Sequence, residues 1–409
     1  MKASIIDIGS NKLFDNNRDN ISKFLSNKIS KLGIDVSKII YCQNSKEEIS
    51  NTLNFLTEEC VFVLGEDNSN KNLEIKKIIA SFMGVQVIQD NLCIKTVSDY
   101  YRRENIVPQK GYENEFYIPD NAVPFENTKS HLQGFMMYGK QTLFFLPKDF
   151  ESVEYLFNTY IVERLIEDFK LDYESSLIKT FGLSEGDILY ILRDMLEQDD
   201  ILVYTYPNGL DITTIIRYSK DVDASIVDNF ISQTYERLNK FIYASEEVSL
   251  ETRVFELLKL TNKTLAVAEN VTGGNVAYSL LKNEPKMVHM LKESIVCPSA
   301  ESKSNRLRLS IQTQATKSAI SVEGCYEMAT GLLETSGADI VACTSGFLDT
   351  EKNSQTVFIS IGDSDGIHVY KNVFSGSMEN VLENITKTTL FYLIKKIKQN
   401  GLFFGQITV

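Results

Sequence analysis

The chain is poor in the residues that build metal and redox sites. Only three histidines occur in its 409 residues, and His131, His289 and His368 lie too far apart to form a His-rich metal motif. The six cysteines (Cys42, Cys60, Cys93, Cys297, Cys325 and Cys343) include no pair at a short ligand or redox spacing. Most sit in apolar stretches, where a reduced thiol in a reducing cytosol acts as a small hydrophobe. A hard cation held by carboxylates stays open on these grounds. No apolar run approaches the ~18 residues of a membrane span. The opening MKASIIDIGS carries Asp7 inside its apolar stretch, so it reads as a strand and not as a signal peptide. Basic residues are outnumbered 42 to 55, and the net charge of −13 argues against nonspecific nucleic-acid binding through the whole surface. The expectation is a cytoplasmic protein with neither nucleic-acid nor membrane partners.

What is present is an α/β rhythm, with length for two or three domains. Ala3–Gly9 reads as a strand, followed by helical periodicity through Ile21, Phe24, Leu25, Ile29 and Leu32, with Gly33 at the expected C-cap. Ile39–Cys42, Val61–Leu64, Val85–Ile88 and Thr142–Leu146 read as further strands. Helices run through Ile49, Leu53 and Leu56, and over Leu73–Met83. Such alternation implies a mainly parallel sheet covered on both faces. Gly111–Lys140 breaks the rhythm and reads as loop with irregular strand.

Leu171–Glu247 differs, with six basic against fifteen acidic residues. A helix from Ser184, strands Ile201–Tyr206 and Leu210–Tyr218 around a turn at Pro207-Asn208-Gly209, and a helix over Ser225–Phe241 make a small α+β unit. Asp187, Asp194, Glu197, Asp199 and Asp200 read as a solvated edge. From Ser249 the α/β rhythm returns, with helices Leu250–Leu260, Val276–Leu281, Val322–Leu333 and Met378–Gln399 and strands Leu265–Ala268, Ile340–Cys343, Val357–Ile361 and Ile367–Val373.

Three segments, KTFGLSEGDI (179–188), FIYASEEVSLETRVFELLKLTNKTLAVAENVTGG (241–274) and NNRDNISKFLSNKISKLGIDV near the N-terminus, resemble the CinA family of competence/damage-inducible proteins. The resemblance implies two three-layer α/β/α domains joined by a small α+β KH-like domain. They would be a molybdopterin-binding-like domain (1–170), the KH-like domain (171–247) and a nicotinamide-nucleotide amidase-like domain (248–409). It also implies a homodimer and a pyridine nucleotide or other phosphate-bearing ligand. The KH-like unit lacks a Gly-x-x-Gly clamp and a basic face, so it reads as a spacer or dimerisation element, not an RNA reader.

The family's motif Ala-Glu-Ser-Cys-Thr-Gly-Gly supplies a nucleophilic Ser, and here Ala268-Glu269-Asn270-Val271-Thr272-Gly273-Gly274 puts Asn270 at that position. An amide cannot attack a carboxamide carbon as an activated hydroxyl does. Lys303 falls at the family's general-base position, at the end of Glu293–Lys303, where the family's glycine pair and Tyr are absent. The family's Thr-Gly-Ile-Ala-Gly-Pro loop corresponds to Thr344-Ser345-Gly346-Phe347-Leu348-Asp349, and Met378 stands where a basic residue is usual. In the first domain, Leu64–Leu73 replaces Thr-Gly-Gly-Leu-Gly-Pro-Thr-x-Asp-Asp. Its phosphate-cradling glycines and carboxylate pair are missing, with Glu66 and Asp67 as substitutes for holding a divalent metal, or as a solvated acidic loop. Only Pro147 of the family's later proline-rich loop survives, in Phe144–Phe150.

The expectation is a CinA-like chain without amidase catalysis that retains nucleotide or phosphate binding at Thr272, Gly273, Gly274, Arg306 and Thr344. The alternative is an active pyridine-nucleotide hydrolase, either a nicotinamide mononucleotide deamidase with another nucleophile or an ADP-ribose pyrophosphatase. Lys303, Arg306, Arg308 and Lys317 read either as a phosphate clamp or as a solvated helix face. Thr272 is a weak substitute nucleophile. Cys297, near Lys303, reads as a buried strand thiol, and His131 and His289 as structural.

Overall fold

A computed structural model describes residues 1–9, 20–169, 173–198, 200–349 and 353–400. Asn16–Asp19 of the first-helix resemblance, and Asp199 of the acidic edge, lie outside the described residues. The chain divides into two compact units after Glu174.

In the first unit, β1 (Lys2–Ile8), α1 (Asn20–Lys31), β2 (Asp35–Cys42), α2 (Lys46–Phe55), β3 (Cys60–Leu64) and α3 (Ser69–Phe82) alternate. Gly33, just past α1, takes φ +86°, as a C-terminal glycine should. Ser45 and Asn68 cap α2 and α3 with side-chain oxygens that accept N–H groups of the first turn. Next come β4 (Val87–Gln89) and α4 (Asn91–Glu104), a helix that the sequence reading leaves unassigned. The irregular stretch holds β5 (Tyr117–Pro119), β6 (Val123–Phe125) and β7 (Gly134–Met137). β8 (Thr142–Leu146), α5 (Phe150–Leu156) and α6 (Val162–Phe169) complete the unit.

The main sheet has the order β2-β1-β3-β8-β7-β6, parallel from β2 to β8 and antiparallel beyond. Alternate residues pack on opposite faces. Ile5, Phe62 and Phe144 join a core with Leu25 and Val153, while Ile6, Val63 and Phe145 join one with Ile49 and Ile75. The continuous apolar runs of β3 and β8 are thus those of a sheet covered twice.

The division falls two residues into β9 (Tyr173–Phe181), which leads to α7 (Glu185–Leu192), β10 (Ile201–Asn208), β11 (Asp211–Ser219), α8 (Ala224–Leu238) and β12 (Ile242–Ala244). Their sheet has the order β10-β11-β9-β12. The hairpin is tighter than expected: Pro207 and Asn208 still pair with Ile212 and Asp211, and the chain reverses at Gly209 (φ +65°) and Leu210. In the acidic edge, Asp187 forms a capping box with Ser184 and Asp194 pairs with Arg237, while Glu197 and Asp200 are exposed.

The rest of this unit comprises α9 (Leu250–Thr261), β13 (Leu265–Glu269), α10 (Asn275–Asn283), β14 (Leu291–Val296), α11 (Ala300–Leu307), α12 (Ile311–Lys317), α13 (Val322–Ser336), β15 (Ile340–Gly346), β16 (Ser354–Asp363), β17 (Gly366–Ser375) and α14 (Met378–Asn400). β14, absent from the sequence reading, is an edge strand whose Lys292, Glu293 and Ser294 hide its pattern. The sheet order is β14-β13-β15-β16-β17, with β14, β13 and β15 parallel. Leu265 and Val267 face a core shared with α9, α10 and α14, which Phe181 and Tyr243 of the smaller sheet also enter. Ala266 and Ala268 face the opposite core with α11 and α13. All six cysteines are free and buried. Among the described residues no helix is long and apolar enough to cross a membrane.

Candidate functional site

The parallel strands β14, β13 and β15 end together, and the residues expected to carry chemistry gather there on two opposite faces. Register decides which face each one takes. Glu269 pairs with Thr344, so the next residues, Asn270 and Ser345, stand side by side. Side chains alternate along strands, which sends Glu269 and Thr344 toward α10 and Asn270 and Ser345 toward α11.

On the α10 face, Glu269 is fully buried, and its carboxylate accepts N–H groups from Gly274, Val276 and Ala277, each at 3.0 Å. Thr272 Oγ1 donates to it at 2.6 Å and lies 2.7 Å from Thr344 Oγ1. Gly274, at φ +105°, turns the chain into the helix. Backbone N–H groups and the helix dipole favour an anion here, and the protein supplies its own. The expected phosphate cradle of Thr272, Gly273 and Gly274 is therefore filled by Glu269. Thr344 is fully buried in the same network.

On the α11 face, Asn270 bridges all three strand ends. Its Nδ2 donates to the carbonyls of Cys297 and Pro298 at 3.1 Å each, and its Oδ1 accepts the Gly346 N–H at 3.1 Å. Its backbone N–H donates to Thr344 O at 3.0 Å. Asn270 is a tie between strands.

Lys303 projects from α11 and is 1% exposed. Its Nζ donates to Ser345 Oγ at 2.9 Å and to the Ala319 carbonyl at 3.1 Å. Burial lowers its pKa below the usual lysine range, against an opposing influence from the thiols of Cys325, Cys297 and Cys343. Burial pushes the Cys297 thiol up, so Lys303 does not activate it. Gly331 sets the seat of α11: a Cβ there would lie 1.9 Å from Leu307 O, so only glycine lets α13 approach so closely. Thr272 and Lys303 are on opposite faces of the sheet, so Lys303 cannot serve Thr272.

The basic cluster does not converge. Lys303 is sealed, Arg308 pairs with Glu334 at 2.6 Å, Lys317 lies 3.5 Å from Glu323, and Arg306 is exposed. Arg308 and Lys317 are both exposed beside their acidic partners. Ser345 escaped the sequence reading, although it stands where the family's loop has glycine. That added hydroxyl was the available signal.

In the first unit, Asn72 brackets Glu66, accepting its N–H at 2.8 Å and donating to its carbonyl at 3.1 Å. Lys71 lies 3.5 Å from the Glu66 carboxylate, and Asp67 is exposed. Among the described residues no group of three or more His, Cys, Asp or Glu side chains is arranged to hold a metal. His131 packs against Tyr100 and Tyr101, with its pKa lowered by burial.

These features define a mixed α/β protein with a polar cluster at the strand ends of its last sheet. Residues 247–397 match the CinA C-terminal domain. A CinA-like protein of Kosmotoga olearia is 25% identical over 353 residues, covering 85% of each chain. A putative competence-damage inducible protein of Clostridium beijerinckii is 24% identical over 403 residues, 95% of this chain and 98% of that one. The crystal structure of a CinA superfamily protein from Klebsiella pneumoniae is 29% identical and covers 37% of this chain and 96% of its own, with a TM-score of 0.35. The chain is thus similar to CinA-like proteins over most of its length, and to the CinA C-terminal domain over residues 247–397.

Proposed function

We propose that this chain is a CinA-family member that does not deamidate nicotinamide mononucleotide and is non-hydrolytic with respect to pyridine nucleotides. One observation carries the reading: Asn270 holds the family's nucleophile position with an amide spent on three backbone groups. The ligand side points the same way. Arg308 and Lys317 have acidic partners and do not converge on a common phosphate site. In the first unit the Glu66 carboxylate is buried with Lys71 3.5 Å away while Asp67 is exposed, which does not favour the two as a joint site for pyrophosphate hydrolysis. The proposal includes a homodimer in the cytoplasm, supported by the family resemblance and checked by light scattering and fractionation.

The test is ammonia release from nicotinamide mononucleotide by wild type and Asn270→Ser, beside calorimetric titration of the same ligand. The expected result for wild type is neither turnover nor binding heat. Turnover by wild type overturns the proposal. Micromolar binding without turnover removes its ligand half and restores a retained pocket.

A further inference from the structure

Amidase chemistry at position 270 has lost its hydroxyl, yet the buried lysine has not lost a hydroxyl partner. Parallel neighbours lie about 4.8 Å apart across a sheet. The register that aligns Glu269 with Thr344 puts Ser345 one strand over from Asn270, on the same face. Lys303 Nζ is 2.9 Å from Ser345 Oγ, within reach for a base that takes a hydroxyl proton. No carboxylate forms an ion pair with Lys303 among the described residues. Its other partner is the neutral carbonyl of Ala319. Burial therefore works toward the free amine, the form that a Ser–Lys pair requires.

We propose that Ser345 and Lys303 form a displaced hydroxyl–amine pair that accepts the acyl group of small uncharged esters or amides. Ser345 Oγ bonds to the acyl carbon while its proton passes to the Lys303 amine. The resulting ammonium returns that proton to the departing alkoxide or amine as the acyl–heteroatom bond breaks. Water then hydrolyses the Ser345 ester by the reverse proton route. The substrate class follows from the walls. This face is lined by the thiols of Cys297, Cys325 and Cys343 and by apolar side chains such as Ala268 and Leu307. The nearby cations on α11 and α12 are exposed or paired, so nothing built into the site recognises a phosphate.

Both groups of the pair are buried, and Asn270 is the closure. Its Oδ1 holds the N–H of Gly346, the residue after the proposed nucleophile. Release of that bond opens the strand ends. It also frees an N–H at the position where an oxyanion donor sits relative to a nucleophilic Ser. One side chain thus keeps the pair shut and masks its oxyanion donor.

The test uses the full chain and p-nitrophenyl acetate as probe, with p-nitrophenolate release and peptide mass mapping read between pH 7 and 9.5. Wild type is expected to carry an acetyl group on Ser345, and Asn270→Gly to acquire it at least tenfold faster. Ser345→Ala should lose the mapped adduct. Lys303→Met, a substitution of similar volume, should slow acetylation at Ser345 at least tenfold and flatten its rise with pH. Circular dichroism checks that each variant folds, and wild type against Ser345→Ala decides the matter even if the others do not. The inference is overturned if acetyl groups appear only on lysines, or if release is the same in wild type and Ser345→Ala. It is also overturned if Ser345 is modified equally fast in a folded Lys303→Met chain. It can fail while the nicotinamide mononucleotide reading stands, and the reverse, because the two assays share no substrate.

Discussion

Replacing Asn270 by Ala removes two donors and one acceptor from the ends of β13, β14 and β15. The bonds lost are those to Cys297 O, Pro298 O and Gly346 N, each 3.1 Å long. A net hydrogen bond is worth about 1 kcal/mol, and Asn270 is half-buried, so water can recover part of the two carbonyls. The expected loss is about 2–3 kcal/mol, concentrated at the strand ends. Hydrogen exchange at the Gly346 amide reads it directly, because that N–H is buried and has Asn270 Oδ1 as its partner. At 1.4 kcal/mol per factor of ten, exchange should quicken about 30- to 140-fold. Asn270→Asp separates the components. Its carboxylate still accepts from Gly346 but turns oxygens toward two carbonyls, so Gly346 should stay protected while overall stability falls at pH 7. Exchange at Gly346 within threefold of wild type in Asn270→Ala would show that Asn270 is not the tie described, and the closure argument for Ser345 would go with it.

Glu269→Ala should cost about 2–4 kcal/mol, because four donors lose a charged acceptor; sulfate at millimolar concentration should then raise the Tm of the variant beyond its effect on wild type. In the first unit, Lys76 and Glu115 are both fully buried and 2.6 Å apart. Lys76→Met alone should cost about 3–5 kcal/mol by denaturant titration, and Lys76→Met with Glu115→Gln should recover at least half, since the amide still accepts the Gln133 N–H. Lys398 is depressed to about 8 by burial, with Arg253 adding repulsion. The unfolded chain therefore binds more protons between about pH 8 and the ordinary lysine value, so this group's penalty is full below pH 8 and fades as pH rises through that window. Lys398→Met should stabilise at pH 7 by about 1–2 kcal/mol after its lost bond to Tyr243 O is counted, with the gain gone near pH 10.5 in the same titration.

The sequence by itself determined the elements whose signal is local. Val61–Leu64 and Ile340–Cys343 are unbroken apolar runs because both sheet faces are covered, and Gly33 marks a helix end because its backbone turns left-handed. That the amide of Asn270 cannot act as a nucleophile was legible too, since it follows from the chemistry of one side chain. What the tertiary structure decided are relations between distant residues. Pairing Glu269 with Thr344 selects which of two polar groups each residue joins, and a slip of one residue would exchange them. Lys303 meets Ser345 across 42 residues, and Arg308 is claimed by Glu334 across 26. Glu269 is close in sequence to the N–H groups it holds, but only the turn at Gly274 aims them at its carboxylate. Side-chain identity states what a group can do. Strand register and helix approach, down to the glycine at 331, fix what it touches.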